Sequence, residues 1–335
     1  MTEEQTGCPN CAAMVDRADR FCESCGTVLS EVRTVAIPKH EPVTEGPCSD
    51  CGNTKPFGEY CTVCGHRRAE PDRDESELGA IVLITDRGVE HAYNEDAAAA
   101  GMVSGGANRP DLIAAVVCDG VSSSPESYAA AVAASKAGVD AMLNALNGSR
   151  QARTAVIEGL TQAAKAAVAA RTDPSTSPSC TYTGVTVVPE GEGTVQVTIG
   201  NVGDSRAYWF PDPPAAPQQL TVDDSLAQEL MTAGASAQSE AVRRGEHTLT
   251  RWMGADAEAQ PWKDSSVHAI TVSGPGSVLL CSDGLWNYLP EAADIARFLD
   301  GVDVKSAARA LTDHALHAGG ADNITVVVIP IGGPA

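Results

Sequence analysis

From about residue 78 onward, short apolar runs rich in β-branched side chains alternate with turn-forming residues. Such runs are typical of buried strands, and longer Ala-rich segments with one apolar face predict helices. Strands are predicted at 80–85, 97–102, 113–118, 182–188, 194–199, 206–210, 267–272, 277–282 and 324–329. Helices are predicted at 126–146, 151–170, 225–232, 291–299 and 304–318. Because the strands lack regular βαβ alternation, we expect an α+β fold with largely antiparallel sheets and helix pairs on their faces.

The N-terminal part of the chain carries cysteines in a repeated spacing. Each of two sets has the form CxxC, a short spacer and a second CxxC. Four thiolates from such pairs can close a tetrahedral shell around Zn²⁺, which we favour over disulfides or redox pairs. The predicted zinc ligands are Cys8, Cys11, Cys22 and Cys25 in the first set, and Cys48, Cys51, Cys61 and Cys64 in the second. A closed four-cysteine site has no open coordination position, so both zinc ions are expected to be structural.

These patterns divide the chain into ribbons, linkers and one larger domain. The segments between and after the cysteine sets are rich in proline or charge and lack hydrophobic periodicity, which is typical of linkers. We predict zinc ribbon 1 at 1–30, a linker at 31–46, zinc ribbon 2 at 47–68, a linker at 69–77 and the larger domain at 78–335. Within that domain, 233–247 is predicted to be a polar, flexible excursion.

Composition narrows the class of partner. The chain has 335 residues, of which 43% are hydrophobic, enough for a substantial core, and a formal net charge of −21. Nucleic acids and anionic membranes require a basic surface, so neither is expected as a partner. The acidic start does not resemble a signal peptide, and no apolar run approaches the roughly 20 residues that span a bilayer. We therefore expect a cytoplasmic protein.

Five aspartates stand at the ends of predicted strands or in adjoining loops. They are Asp96, Asp119, Asp204, Asp283 and Asp322. Spacing alone leaves two interpretations open: ordinary turns at strand ends, or carboxylates that meet at one site. If they meet, they repel one another unless cations neutralise them, and an all-oxygen set favours Mg²⁺ or Mn²⁺. Two such ions about 4 Å apart can activate water for phosphoester hydrolysis.

The aspartates belong to motifs whose order resembles that of a known family. The motifs are Asp86-Arg-Gly-x-x-His-x-x-Asn-Glu-Asp96, Val117-Cys-Asp-Gly120, Gly200-Asn-Val-Gly-Asp-Ser-Arg-Ala207, Leu220-Thr-Val-Asp-Asp-Ser225, Leu249-Thr-Arg-x-x-Gly254, Cys281-Ser-Asp-Gly-Leu285 and Asp322-Asn-Ile-Thr-Val326. Residues 78–331 resemble the metal-dependent serine/threonine protein phosphatases, the PPM or type 2C family, of the bacterial type. The resemblance implies a four-layer α-β-β-α sandwich that hydrolyses phosphoserine and phosphothreonine on proteins.

The resemblance also implies roles for individual residues. Asp119 would bridge two Mn²⁺ or Mg²⁺ ions, and the Gly120 carbonyl would be a further ligand. Asp283 and Asp322 would bind one of the ions directly, which makes these three aspartates the expected catalytic residues.

Three more carboxylates complete the implied metal site. Glu95 and Asp96 would act mainly through bound waters. Asp204 would bind a weaker third metal together with Asp283. The expected cofactors are thus two, possibly three, Mn²⁺ or Mg²⁺ ions in addition to two structural Zn²⁺.

Two departures from the family pattern bear on activity. His91 stands where the family usually has an arginine that clamps the substrate phosphate, and His lacks the fork and fixed charge of Arg. Either His91 binds phosphate weakly, or Arg87 supplies the positive charge. In addition, 121–124 reads Val-Ser-Ser-Ser where the family has glycines. A weak or inactive phosphatase that acts as a phosphoprotein-binding scaffold is therefore the alternative.

The remaining expectations concern partners and other reactive groups. The substrates would be phosphoproteins, with the enzyme opposing a serine/threonine kinase, and the ribbons would dock a protein partner. Cys118 and Cys281 are expected to be packing thiols, because no phosphate-cradling loop ending in Arg accompanies them. His247 is expected to be a surface or capping residue.

Overall fold

The computed structural model describes residues 6–8, 10–15, 19, 21–29, 31–39, 47–48, 50–55, 60–65, 72–104, 111–191 and 193–332. Its strands are β1 (Thr6–Gly7), β2 (Met14–Val15), β3 (Glu31–Ile37), β4 (Arg73–Leu78), β5 (Ile81–Asp86), β6 (Ala97–Ser104), β7 (Leu112–Cys118), β8 (Ser179–Cys180), β9 (Tyr182–Gly191), β10 (Thr194–Val202), β11 (Arg206–Pro211), β12 (Gln218–Gln219), β13 (Met253–Gly254), β14 (Val267–Ser273), β15 (Gly276–Cys281) and β16 (Ile324–Ile331). Its helices are α1 (Ser127–Asn147), α2 (Ala152–Ala169), α3 (Leu226–Thr232), α4 (Glu240–Arg244), α5 (Asp283–Trp286), α6 (Ala292–Leu299) and α7 (Val304–Ala318), with a 3₁₀ turn at Asp264–Ser266.

Twelve of these strands form two six-stranded sheets. The order in the first sheet is β14-β10-β9-β7-β6-β3, and the order in the second is β12-β11-β15-β16-β5-β4. Every neighbouring pair in both sheets is antiparallel. The expectation of mixed helices and antiparallel sheets is therefore confirmed, and each predicted core strand is present with ends shifted by a few residues.

Three hydrophobic clusters hold these elements together. The first joins inward-facing side chains of both sheets, such as Val117 and Ile199 with Leu83 and Val327. The second packs α1 and α2 on the other face of the first sheet, and the third packs α6 and α7 on the other face of the second sheet. Successive residues of a strand face opposite sides of the sheet. Because both faces of these sheets are covered, both sets of residues are apolar, and the sequence shows continuous apolar runs.

Strand β3 corrects the first predicted linker. Residues 31–46 were expected to connect two domains, but Glu31–Ile37 pairs with β6 along its whole length, from Glu31 opposite Ser104 to Ile37 opposite Ala98. Ile37 is almost fully buried between the sheets. The linker assignment is wrong for these residues because a weakly alternating edge strand buries little of its surface and shows little hydrophobic period.

Strand β4 corrects the second predicted linker, 69–77. Its sequence is Arg-Asp-Glu-Ser-Glu-Leu, and only its last residue is a buried hydrophobic residue. Backbone pairing with β5 and ion pairs to α7 stabilise it instead: Glu75 with Arg309 at 2.7 Å and Glu77 with Lys305 at 2.5 Å. Charged edge strands of this kind lack the apolar pattern on which strand prediction depends.

The predicted excursion at 233–247 contains structure. Helix α4 lies within it, and the Ser239 hydroxyl caps its N-terminus by accepting a hydrogen bond from the Val242 amide at 3.3 Å. None of the described helices is both long enough and apolar enough to cross a membrane.

Candidate active site

The antiparallel pairings bring the predicted carboxylates to one end of the two sheets. Strand β5 ends at Asp86, opposite Ile324, where β16 begins. Strand β6 begins at Ala97, opposite Cys118, where β7 ends. The loops beyond these positions, with those after β10 and β15, carry Asp96, Asp119, Asp204, Asp283 and Asp322. The structure thus gathers residues that are up to about 230 positions apart in the chain (Glu95 and Asn323 share a hydrogen bond).

Asp119 lies at the electrostatic centre of this group. Its pKa is raised far above the ordinary value, first by burial and then by the negative charges of Asp96, Asp283, Asp322 and Asp204. The pKa of Asp96 is raised in the same way, by burial and by its acidic neighbours, although hydrogen bonds partly oppose the shift. Acids that raise one another's pKa leave a site in which a cation is strongly favoured.

Two buried carboxylate oxygens in the described part of the chain lack a hydrogen-bond partner within the protein. They are Oδ1 of Asp96 and Oδ1 of Asp283. The other oxygen of Asp96 accepts a hydrogen bond from the Ser282 hydroxyl at 2.6 Å, which joins the loops of the two sheets. Buried acceptors without a partner are costly, and a divalent cation would satisfy both. The donor set is entirely oxygen, which fits Mg²⁺ or Mn²⁺.

Asp204 lies beside Asp283 on the flank of the group. Burial and the charge of Asp283 raise the pKa of Asp204 to about 8, so the carboxyl is largely protonated at neutral pH when no cation is present. The Trp286 indole N–H donates to the Asp204 carbonyl at 2.9 Å, and the Arg206 guanidinium covers that indole ring at 3.8 Å. Arg206 is itself fixed by a 2.7 Å ion pair with Asp223. The loop that carries Asp204 is therefore rigidly held.

Glycine is required at two positions where loops cross. A Cβ atom on Gly120 would lie 2.7 Å from the Glu95 carbonyl oxygen, and one on Gly284 would lie 2.1 Å from the carbonyl oxygen of Asn323. Any side chain at either position would push the carboxylate loops apart. The glycines after Asp119 and Asp283 thus allow these loops to approach one another.

Several polar residues that sequence reasoning did not single out position the carboxylates. The Asn323 side chain accepts a hydrogen bond from the Glu95 amide at 2.7 Å and donates to the carbonyls of Arg87 and Tyr93 at 2.7 and 3.1 Å. The Ser127 hydroxyl, at the start of α1, donates to the Glu95 carboxylate. Ser282 lies within one of the family motifs, but no sequence signal pointed to its role or to Ser127, because both roles arise only from contacts between distant segments.

His91 lies directly at the site, whereas Arg87 is engaged elsewhere. Nε2 of His91 is 3.2 Å from Oδ1 of Asp322, and its Nδ1 is 3.9 Å from Oε2 of Glu95. The nearby imidazole partly offsets the rise in the pKa of Asp322 that burial and Asp283 cause. Arg87 directs Nε to Asp72 at 2.8 Å and Nη1 to the His91 carbonyl. The structure therefore places His91, more directly than Arg87, among the carboxylates.

His247 also reaches the site, although it was expected to be a surface or capping residue. Its side chain is half exposed, but Nδ1 lies 3.6 Å from Oδ2 of Asp283 and the ring stacks on Trp286. The nearby carboxylate of Asp283, which favours the protonated imidazole, is the main cause of the raised pKa of His247. When protonated, this imidazole adds positive charge to a strongly acidic end of the protein.

The buried thiols near the site do not have the character of nucleophiles. Cys118 and Cys281 are fully buried at the ends of β7 and β15. Burial raises the pKa of both, so both remain protonated. This supports the expectation that they are packing residues, because the thiolate is the reactive form of cysteine.

The eight N-terminal cysteines form two compact tetrads. The first tetrad is Cys8, Cys11, Cys22 and Cys25, and the second is Cys48, Cys51, Cys61 and Cys64. Within the described residues, only these tetrads bring three or more Cys, His, Asp or Glu ligand atoms within 4.8 Å of one another. The closest Sγ–Sγ distances are 3.5–3.7 Å. Zn–S bonds of about 2.3 Å in a tetrahedron place sulfurs about 3.8 Å apart, so the tetrads fit zinc.

The carboxylates are spread more widely than the cysteines. Neither Asp96 nor Asp119 belongs to a group whose ligand atoms all lie within 4.8 Å in the described part of the chain. A cation held here would therefore need water molecules or the Gly120 carbonyl to complete its coordination. Mg²⁺ commonly retains several waters in protein sites, so this spacing is compatible with it.

Comparisons with known proteins agree with this geometry. Residues 87–318 match the family model described as Protein phosphatase 2C. The Serine/threonine phosphatase stp of Listeria innocua is 33% identical over 147 residues, which cover 44% of this chain and 56% of that protein. The Serine/threonine protein phosphatase PstP of Mycobacterium tuberculosis is 31% identical over 151 residues, 42% of this chain and 28% of PstP. The chain thus spans about half the length, or less, of these curated relatives.

Solved structures show the same fold. The PPM Ser-Thr phosphatase MsPP from Mycobacterium smegmatis, in complex with cacodylate, superposes with a TM-score of 0.57 at 28% identity, covering 77% of this chain and 100% of MsPP. The catalytic domain of PstP in complex with two manganese ions has a TM-score of 0.53 at 24% identity, covering 75% and 97% of the two chains, and supports the fold alone. From the family match and the arrangement of its carboxylates, the chain belongs to the protein phosphatase 2C family.

Proposed function

We propose that this protein is a metal-dependent phosphatase that removes phosphate from phosphoserine and phosphothreonine on proteins. The observation that carries the proposal is the convergence of five aspartates, in which burial and the charges of the other four raise the pKa of Asp119. Membership of the protein phosphatase 2C family supports the same conclusion. The curated relatives are named as serine/threonine phosphatases, although the chain matches only part of each.

The metal site is proposed as a binuclear Mn²⁺ or Mg²⁺ centre. Asp119, the Gly120 carbonyl, Asp283 and Asp322 would hold the two cations directly. Such cations, when bound, supply an acidified water and neutralise charge on the phosphoryl oxygens. The unpartnered oxygen of Asp283 supports this assignment.

Other residues would hold and orient this centre. Asp96 and Glu95 would contact bound waters, with Ser282 and Ser127 fixing their carboxylates through hydrogen bonds. Asp204, next to Asp283, would contribute to a third, weaker cation site. Ligands fixed by a second layer of hydrogen bonds bind metal more tightly than ligands that must be ordered on binding.

His91 would bind the substrate phosphate at the rim. Its imidazole lies 3.2 Å from Asp322 and would be attracted to a phosphate dianion when protonated. It offers one charge where a guanidinium would offer a bidentate fork, so we expect weaker phosphate affinity than an arginine would give. Arg87 is the less favoured phosphate ligand, since its Nε and Nη1 atoms already have protein partners.

The fold is proposed to be a four-layer α-β-β-α sandwich. The cluster between the sheets and the helix pairs on their outer faces support this arrangement.

The two cysteine tetrads are proposed to hold structural zinc, which suits their sulfur spacing. In the first ribbon Phe21 and Val28 pair across an antiparallel bridge while both stay more than half exposed, which supports a role in docking a protein partner.

The remaining proposals concern the cellular setting. We propose cytoplasmic phosphoproteins as substrates, in opposition to a serine/threonine kinase. The net charge of −21 supports protein rather than nucleic acid as the partner.

The proposed function is tested by measuring the rate at which a small aryl phosphate is hydrolysed as the Mn²⁺ concentration is varied. We expect Mn²⁺-dependent turnover in the wild type and its loss in Asp119→Asn and Asp283→Asn. Asp140→Asn, on the exposed face of α1, removes the same charge far from the site and should retain turnover. Folded, zinc-loaded wild-type protein without turnover would contradict the proposal, and a phosphopeptide panel would follow a positive result.

A further inference from the structure

The connection between β3 and β4 lies at the active-site end of the protein. Strand β3 runs towards this end, since Ile37 pairs with Ala98, two residues after Asp96. Strand β4 starts at the same end, since Arg73 pairs with Asp86. The chain therefore leaves the first sheet and enters the second beside the carboxylates, and the second cysteine tetrad lies within this connection.

The ends of this connection are tied together, which limits where the second tetrad can lie. The Lys39 amide donates to the Asp74 carboxylate at 2.6 Å, and the Lys39 Nζ donates to the Glu75 carbonyl at 3.1 Å. Cys64 is eight residues from Asp72. At roughly 3.6 Å per extended residue, Cys64 lies within about 30 Å of Asp72 at the active-site rim.

The first tetrad enters the domain at the opposite end. Cys25 lies six residues before Glu31, and Glu31 pairs with Ser104 at the far end of β6. The two tetrads are thus chemically alike, but only the second is attached where the carboxylates lie. The chain therefore contains its own control for any effect that depends on this position.

Asp72 directly connects this segment to the active-site loop. Its carboxylate accepts a hydrogen bond from Nε of Arg87 at 2.8 Å, and its carbonyl accepts one from the Arg87 amide at 2.7 Å. Nη1 of Arg87 donates to the carbonyl of His91. A single guanidinium thus spans from Asp72 to the backbone of the residue that lies beside Asp322.

This use of Arg87 explains how it can affect phosphate binding without touching phosphate. Bidentate contact needs two adjacent N–H groups, either Nε with one terminal nitrogen or both terminal nitrogens. The first arrangement would break the contact with Asp72, and the second would compete with the contact to His91 for Nη1. The loop on either side of His91 is held separately, by the Val89 amide to the Gly320 carbonyl at 2.7 Å and by Asn323 to Tyr93. Arg87 holds the segment between these two anchors.

We propose that Asp72 is a positioning residue which, acting through Arg87, fixes His91 beside Asp322 and couples the zinc-loaded second tetrad to phosphate affinity. The coupling to phosphate rests on the proposed function, whereas the coupling to the loop does not. Two-thirds of the Asp72 side chain is exposed, so its ion pair contributes little to overall stability, and its effect is local.

The first experiment changes Asp72 in the full chain. Asp72→Ala should raise KM for an aryl phosphate about two- to fivefold, the range expected for one partly exposed ion pair, with little change in kcat. Asp72→Glu should restore part of the loss. The control is Glu77→Ala, which removes an exposed ion pair from β4, the strand that follows Asp72, but lies at the end of that strand away from the site.

A second readout does not require turnover. Hydrogen exchange of the amides at 87–93 should be faster in Asp72→Ala than in the wild type or in Glu77→Ala. If wild type shows no phosphatase activity but this exchange difference appears, the proposed function fails and the positioning role stands. If Asp72→Ala matches Glu77→Ala in both KM and exchange, the positioning role is refuted.

The third experiment tests the coupling to zinc with the two tetrads as a matched pair. The double variant Cys61→Ser/Cys64→Ser should have faster hydrogen exchange at the amides of 87–93. Combining it with Asp72→Ala should give no further increase over Asp72→Ala alone. Cys22→Ser with Cys25→Ser should lower zinc content equally but leave exchange at 87–93 as in the wild type. Equal effects of the two pairs, or fully additive effects with Asp72→Ala, would overturn the coupling.

Discussion

Replacing Asp204 with Asn should stabilise the protein at alkaline pH when no Mn²⁺ or Mg²⁺ is bound. Burial and the charge of Asp283 raise the pKa of Asp204 from 3.8 to about 8. The folded state therefore binds more protons than the unfolded state between these pKa values, and the free energy of unfolding falls as pH rises through this window. The loss is complete above the folded pKa, because both states are then ionised. An Asn side chain has no proton to lose and avoids this loss.

The size of the effect follows from the same pKa values. One pKa unit corresponds to about 1.4 kcal/mol, so raising the pH from about 5.5 to about 8 should cost the wild type about 3 kcal/mol through Asp204. For a protein of this size, that corresponds to a decrease of roughly 6–12 °C in Tm. Asp96 and Asp119 are shifted in the same direction and should add to the trend.

The assay is thermal denaturation of zinc-loaded protein prepared without Mn²⁺ or Mg²⁺. The Tm of Asp204→Asn minus that of the wild type should increase by roughly 6–12 °C between pH 5.5 and pH 8. Added Mn²⁺ should then stabilise the wild type more than the variant, because binding of the cation removes the repulsion. Parallel Tm curves for the two proteins across pH would refute the argument that Asp204 is held protonated.

Three substitutions test other parts of the site. Ser282→Ala removes the hydrogen bond to Asp96 and should weaken Mn²⁺ binding about tenfold in calorimetry, with unchanged affinity contradicting that role. His91→Arg should lower the inhibition constant for inorganic phosphate about tenfold by adding a bidentate donor, and no change would show that this position does not meet phosphate. Gly284→Ala places a Cβ 2.1 Å from the Asn323 carbonyl and should cost about 1–3 kcal/mol in chemical denaturation, so wild-type stability would contradict the packing.

The sequence was sufficient to predict the central strands and the carboxylates at their ends. Strands β7, β15 and β16 are covered on both faces, so their apolar runs are continuous and stop where the chain reaches the rim. Asp119 and Asp283 were recognisable because each is followed by a glycine that ends the run. Local sequence is therefore sufficient to identify the residues that lie at the ends of buried strands.

The assembly of the site could not be obtained from local sequence. Whether Asp96 and Asp283 meet depends on the order of strands in each sheet and on how the sheets pack, which are set by contacts between distant segments. The hydroxyl of Ser282 and the imidazole of His247 acquire their roles only after these segments meet. Ser and His are common at surfaces, so neither carries a signal of its own.

The misassigned linkers show why hydrophobic pattern fails at the edges of a sheet. An interior strand is identified by the side chains it buries, whereas β4 is held by backbone hydrogen bonds on one side and by ion pairs of Arg73, Glu75 and Glu77 with partners that lie outside it. Such a strand is polar by composition and resembles a linker. Once β3 and β4 are recognised as edge strands, the second cysteine tetrad lies in an insertion between two strands of the fold. Its attachment at the active-site end of the fold then follows from strand direction, because antiparallel pairing fixes the end at which each strand begins.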